Sequence, residues 1–144
     1  MDLLGSAHDW QKRADVEAWI SFSEGMMVHT LAVMYARWFI DEASASKVEA
    51  NMARNIRNNL NHLEQTLSKE SVGGYLVGAR LTAADVMCAF SAEYTFYVGT
   101  GISSEGKKSD DWSKTVAWLK GLAQLPSYQR VLEKGVMHRF TIRD

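Results

Sequence analysis

The 144-residue chain contains one proline, Pro126, and one cysteine, Cys88. An average chain of this length carries about seven prolines. Helix interiors exclude proline and turn-rich sheet proteins use it freely. Its scarcity therefore argues against a β architecture and for a few long helices. A lone cysteine excludes an intramolecular disulfide framework and a zinc cluster built on cysteines, and it fits a reducing compartment. Charge of one sign is also missing. Sixteen Lys and Arg oppose seventeen Asp and Glu, for a formal net charge of −1. No global basic field exists to bind nucleic acid through bulk electrostatics. No apolar run approaches the length of a membrane span. Residues 1–12, with Asp2, His8, Asp9 and Gln11, do not read as a signal peptide. The expected address is cytoplasmic, with neither nucleic acid nor membrane as partner.

What is present is an ordinary globular mixture, 47% hydrophobic and 23% charged, of a length that suits one domain over residues 1–144. A first helix is predicted over about 15–42. Val16, Trp19, Ile20, Met27, Leu31, Met34, Tyr35 and Trp38 recur at steps of three and four, and Met26, Val28, Val33 and Phe39 widen the stripe toward a buried, central helix. Asp41 and Glu42 then sit at its C-terminal end, where acids oppose the helix dipole. A second helix is predicted over about 46–70, opened by a Ser46–Glu49 capping box. Its Val48, Met52, Ile56, Leu60, Leu63 and Leu67 form one apolar face. Asn51, Arg54, Arg57, Asn58, Asn61 and Glu64 read as a solvated face. Gly73-Gly74 marks a loop. A third helix is expected from Thr82 to about Tyr97, with Ala83, Val86, Met87, Phe90, Tyr94 and Tyr97 as its apolar line. Residues 99–109 read as a mobile surface loop. A fourth helix over about 111–123 buries Trp112, Val116, Leu119 and Leu122. Pro126 opens a short fifth helix over about 127–134, presenting Tyr128, Val131 and Leu132 and stopping at Gly135. The tail from Val136 to Asp144 is left unassigned. No strand-period segment is present.

The strongest local signal is YLVGARLTAADV, residues 75–86. Thr82 is placed as an N-cap with Asp85 at the capping-box return position, and Leu81 and Val86 as a hydrophobic staple. Gly78 lets the chain turn sharply before the helix. A threonine cap is worth about 1 kcal/mol, and each hydrogen bond to a buried aspartate about 1.5–3 kcal/mol. The motif is a folding device, not a catalytic one.

This motif resembles the N-capping motif of the glutathione S-transferase C-terminal domain. The resemblance extends over almost the whole chain in order. Trp19-Ile20-Ser21-Phe22 is similar to that domain's opening helix, and Asn61-His62-Leu63-Glu64-Gln65-Thr66-Leu67 to its second. Trp118-Leu119 through Leu125-Pro126-Ser127-Tyr128-Gln129 is similar to its late tryptophan helix, turn and next helix. Leu125 stands where the family often has arginine, and Val136 follows Gly135 where a second glycine is common. The resemblance implies an all-α bundle of about five helices. It implies a twofold homodimer, glutathione as cosubstrate held mainly by a thioredoxin-like domain, and an apolar electrophilic small molecule as partner. The 144 residues have no strand pattern and no candidate for that domain's cis-proline, so the glutathione-binding half is expected to lie outside them.

By the same resemblance, the electrophile pocket draws on the first helix, the end of the third and the tail. Candidate lining residues are Ser23, Met26, Met27, Thr30, Tyr94, Tyr97 and Phe140. His29 joins them because some bacterial relatives place a histidine of this helix near the thiol, although the register differs here by about one residue. Each has an alternative reading: Met26 and Met27 as plain core, Tyr94 and Tyr97 as packing residues. His8, His62 and His138 read as solvent or packing residues, and no histidine has the i, i+4 partner of a helical metal site. Cys88 reads as a small buried hydrophobe. Glu93, set among apolar residues, reads equally as a buried hydrogen-bond partner or a pocket acid. Three functions follow. One is the substrate-binding half of a glutathione-dependent transferase or double-bond isomerase. Another is a non-enzymatic interaction module, like those of elongation-factor gamma subunits and synthetase scaffolds. The last is a carrier of an apolar molecule.

Overall fold

A computed structural model describes residues 3–4, 8–69, 74–103 and 106–134. Among these, five α-helices and no strand are found: α1 (Trp10–Phe39), α2 (Glu42–Lys69), α3 (Ala83–Val98), α4 (Ser113–Ala123) and α5 (Pro126–Glu133). A 3-10 turn, Ser109–Trp112, leads into α4. α1 packs against both α2 and α3, α4 lies on α2, and α5 follows α4. The all-α bundle expected from proline scarcity and helical spacing is the one observed. No helix among the described residues is long and apolar enough to cross a membrane.

The first boundary differs from expectation, and a capping residue explains it. α1 begins at Trp10 because the Asp9 carboxylate accepts the Lys12 N–H at 3.1 Å. It ends at Phe39, where Ile40 turns extended. Asp41 and Glu42 therefore do not close α1; they open α2. Asp41 Oδ1 accepts the Ser44 N–H at 3.0 Å, and that bond holds the Asp41 carboxyl below its usual range. Both acids thus sit at the favourable end of a dipole. The Ser46–Glu49 capping box is overturned, because both residues lie inside α2. Glu49 instead accepts from Arg37 at 2.7 Å and from the Gly101 N–H at 3.1 Å.

Of the apolar face expected for α2, Ile56, Leu60, Leu63 and Leu67 are buried, Val48 and Met52 are only half-buried, and Ala53 joins the core. Its polar face is not simply solvated. Glu64 reaches across to the first turn of α4 and accepts the N–H groups of Lys114 and Thr115 at 2.9 and 2.8 Å, and the Thr115 hydroxyl at 2.8 Å. The N-cap of α4, Trp112, has no capping side chain. Its unpaired backbone donors are satisfied by a carboxylate from another helix. Asn61 Oδ1 accepts the Trp112 indole N–H at 2.8 Å. The segment read as a mobile loop starts as a docked turn, with Thr100, Gly101 and Ile102 buried. Arg57 donates to the Gly101 carbonyl at 3.0 Å. Gly101 has φ +68°, and a Cβ there would stand 2.9 Å from the Ala53 Cα. Only glycine lets this turn lie on α2.

The cap of α3 is as expected. Thr82 and Asp85 form a capping box, Gly78 turns the chain at φ +70°, and Asp85 is fully buried. The face that α3 buries is not the expected one. Ala84, Cys88, Ala89, Ser91, Ala92 and Thr95 face inward. Val86, Met87, Phe90 and Tyr97, read as the core line, are exposed. Small side chains let α3 approach α1 closely, and the bulky ones are left on the outer side. α4 buries Trp118, Leu119 and Leu122, whereas no residue of α5 is buried and Val131 is exposed.

Candidate functional site

The α1–α3 seam is the foundation of the site. Ser91 Oγ donates to the Ser23 carbonyl at 3.0 Å, and the Thr30 and Thr95 hydroxyls pair at 2.9 Å, all buried. Thr95 also donates to the Ser91 carbonyl at 2.8 Å. Buried hydroxyls bonded in this way avoid the cost of an unsatisfied polar group. Ser23, Met26 and Thr30 are buried in this seam. They hold the two helices together and present no side chain to the surface.

Above the seam lies an aromatic face. Phe90 and Tyr97 of α3 are 54% and 51% exposed, and Tyr35, Trp38 and Phe39 of α1 are 52%, 57% and 77% exposed. Tyr35 meets Trp38 edge-on, with ring centroids 5.7 Å apart, and Phe39 at 6.2 Å. Tyr94 is half-buried between the two helices. Desolvation raises its phenol above the ordinary range, and the neighbouring Tyr35 and Tyr97 raise it further. The Tyr94 phenol thus stays protonated at neutral pH, and three phenols from two helices stand together. Met27 is partly exposed, and its spacing with Leu31 and Tyr35 puts it on the stripe of α1 that leads to them.

Of the residues singled out from the sequence, Tyr94, Tyr97 and Met27 belong to this face. His29 points elsewhere: its Nδ1 pairs with Asn59 of α2 at 2.9 Å. Phe140 and His138 lie outside the described residues. Tyr35 was not singled out, because its place in the helical stripe reads as core. Its spacing from Trp38 and Phe39, i, i+3 and i+4, puts the three rings on one side of the helix, which in sequence is the pattern of a core face, so no local signal marks them as exposed.

Other reactive groups are held elsewhere. Cys88 is buried against the Trp19 carbonyl, and burial with the Asp85 charge pushes its thiol up to about 12. Such a thiol is inert. Glu93 is buried under α5 and accepts the Tyr128 hydroxyl at 3.1 Å. Burial raises its carboxyl to about 7, and the Tyr128 bond acts the other way. His62 stacks on Trp19 at 5.1 Å beside Phe22, forming one wall of a shallow cavity of about 430 Å³ between α1 and α2.

Glutathione is a tripeptide with two carboxylates and an ammonium. The aromatic face is made of rings, phenols and a thioether, with no cationic side chain among the residues that build it. It offers no charge to pair with those of such a peptide.

The family model for the glutathione S-transferase C-terminal domain matches residues 29–135. The crystal structure of a glutathione S-transferase from Actinobacillus pleuropneumoniae is similar in fold, with a TM-score of 0.67 at 18% identity. The match covers 91% of this chain and 54% of that one, so the chain spans about half the length of that transferase. No curated protein matches. With the capping box, the α1–α3 seam and the family match in agreement, the chain belongs to the glutathione S-transferase family, as its all-helical C-terminal domain.

Proposed function

We propose that this chain is the substrate-binding half of a cytoplasmic, glutathione-dependent transferase or double-bond isomerase acting on an apolar electrophile. The observation that carries this reading is the aromatic face with Tyr35, Tyr94 and Tyr97 at its centre. Rings and Met27 desolvate an apolar substrate. Tyr94, half-buried among these rings, helps orient the substrate. Activation of the thiol belongs to a thioredoxin-like domain, and no residue described here is assigned to it. Five half-exposed rings amount to an apolar patch on the order of 400–600 Å², at the upper end of what a monomer ordinarily shows. Such a patch suits a wall that a second domain or a twofold partner covers.

The test starts with the protein as its own cell makes it. Intact mass shows whether the chain is joined to a further domain, and the intact protein is then assayed with glutathione and a panel of apolar electrophiles. A stable conjugate supports the transferase and a released isomer the isomerase. A second reading, a non-enzymatic interaction module, draws on the same exposed rings. It predicts no turnover with any electrophile and a stoichiometric protein complex that Trp38→Ala with Phe39→Ala dissolves.

A further inference from the structure

Glu49 of α2 ties together the ends of the two helices that carry the aromatic face. Its Oε2 accepts from the Arg37 guanidinium at 2.7 Å, and its Oε1 accepts the Gly101 N–H at 3.1 Å. Arg37 lies in the last turn of α1, between Tyr35 and Trp38. Gly101 lies in the turn that follows α3, just beyond Tyr97. One carboxylate thus reaches both. The register of α2 builds this in. Glu49, Ala53 and Arg57 recur at four-residue steps and share one stripe of the helix. The turn rests on that stripe: a Cβ on Gly101 would stand 2.9 Å from the Ala53 Cα, and Arg57 donates to the Gly101 carbonyl at 3.0 Å. The Glu49 side chain is 18% exposed, against 42% for Arg37. A carboxylate that is sheltered and bonded through both oxygens holds its partners more firmly than an open surface ion pair does.

We propose that Glu49 is a positioning residue for the aromatic face: by holding Arg37 and the Gly101 turn at once, it sets the spacing between the rings of α1 and those of α3. The Thr30–Thr95 hydroxyl pair at 2.9 Å fixes the two helices deeper in the seam. Tyr35 and Trp38 lie beyond Thr30 and Tyr97 lies beyond Thr95, so these rings ride on the helix ends. The tie through Glu49 adds a second fixed point at the end that bears them. The position calls for a carboxylate, because both partners are donors. An amide has one acceptor oxygen and turns its own N–H groups toward the other donor. Rings held at a fixed spacing lose less freedom when a ligand binds, so the affinity of the face depends on a residue that lies outside it. The affinity half of this inference rests on reading the face as a ligand wall; the ring spacing is measurable without a ligand.

The test is fluorine NMR of the full-length protein labelled with fluorotyrosine, with signals assigned by single Tyr→Phe variants. Glu49→Gln should shift or broaden the Tyr35, Tyr94 and Tyr97 signals and leave those of Tyr75 and Tyr128 in place. Arg37→Gln changes an exposed residue, keeps the fold by circular dichroism, and should give the same pattern more weakly; Arg37→Lys should lie closer to wild type. The uncharged apolar probe N-phenyl-1-naphthylamine should bind the wild type and lose affinity in Trp38→Ala. It should bind about threefold to tenfold more weakly to Glu49→Gln, the loss of one hydrogen bond's worth of ordering. Tyr35, Tyr94 and Tyr97 signals unmoved in both Glu49→Gln and Arg37→Gln, changes spread evenly over all the tyrosines, or moved signals with unchanged probe affinity would overturn the proposal. Selectively moved signals in a protein whose wild type binds no probe would support the positioning role and overturn the ligand-wall reading instead.

Discussion

Removing the Asp85 carboxylate should be among the most damaging single changes to this fold. Asp85 is fully buried. Its Oδ1 accepts the Leu76 N–H at 2.8 Å and, more weakly, the Trp118 indole N–H at 3.4 Å. Its Oδ2 accepts the Thr82 N–H and the Thr82 hydroxyl, each at 2.9 Å. One side chain thus ties the 75–81 turn, the start of α3 and α4 together. Asp85→Ala orphans two buried backbone donors at about 1–3 kcal/mol each. Relief from burying a carboxylate offsets part of that loss, so a net destabilisation of about 3–4 kcal/mol is expected. With a urea slope of about 1–3 kcal/mol per molar, the unfolding midpoint should fall by about 1–4 M. Asp85→Asn should recover little, because its amide turns a donor toward one of the two backbone N–H groups. Thr82→Ala should cost about 1 kcal/mol and Thr82→Ser much less. A midpoint shift below about 0.5 M for Asp85→Ala at unchanged slope would refute the reasoning. It would mean that the carboxylate's bonds barely outweigh its desolvation.

Gly101→Ala combines a left-handed backbone, about 1–2 kcal/mol, with overpacking against Ala53, about 1–3 kcal/mol. Gly99→Ala at φ +65°, with nothing within 4 Å, should show only the first cost; equal losses in thermal unfolding would refute the close approach. Glu93 has a folded-state value of about 7 against an ordinary 4.5. Its contribution to stability is fully present below pH 4.5 and is lost as pH rises through 7. The stability difference between wild type and Glu93→Gln should therefore change across that window, and a flat difference in urea titrations would contradict the burial. Cys88 should resist aromatic disulfide reagents at pH 8 in the native state and react fully in urea; fast native labelling would show that the seam opens.

Much of the fold is legible in local chemistry. Thr82, Asp85 and Gly78 define the start of α3 because a cap and a positive-φ turn are decided within four or five residues. Pro126 opens α5 for the same local reason. The Ser46–Glu49 box misleads because Asp41, five residues earlier, is an equally local cap, and the longer helix that it begins buries Ala45 as well. The candidate site is less legible. Tyr94, Tyr97 and Met27 lie on one face, while Ser23, Met26 and Thr30 lie in the seam beneath it. All six sit on two helices whose apolar residues surround most of the circumference, so periodicity does not choose a side.

The sequence by itself determines that the chain is helical, where α3 and α5 begin, and that α2 has one apolar face, because these depend on backbone sterics, capping and a strong 3.6-residue pattern. Tertiary structure decides which side of α3 is core. A close helix pair rewards small residues and bonded hydroxyls across the seam, which no scale of side-chain hydrophobicity anticipates. It also decides that Glu64 caps α4 and that Glu49 and Arg57 hold the Gly101 turn. Those contacts join residues about fifty positions apart, and only the packing of the helices brings them within a hydrogen bond.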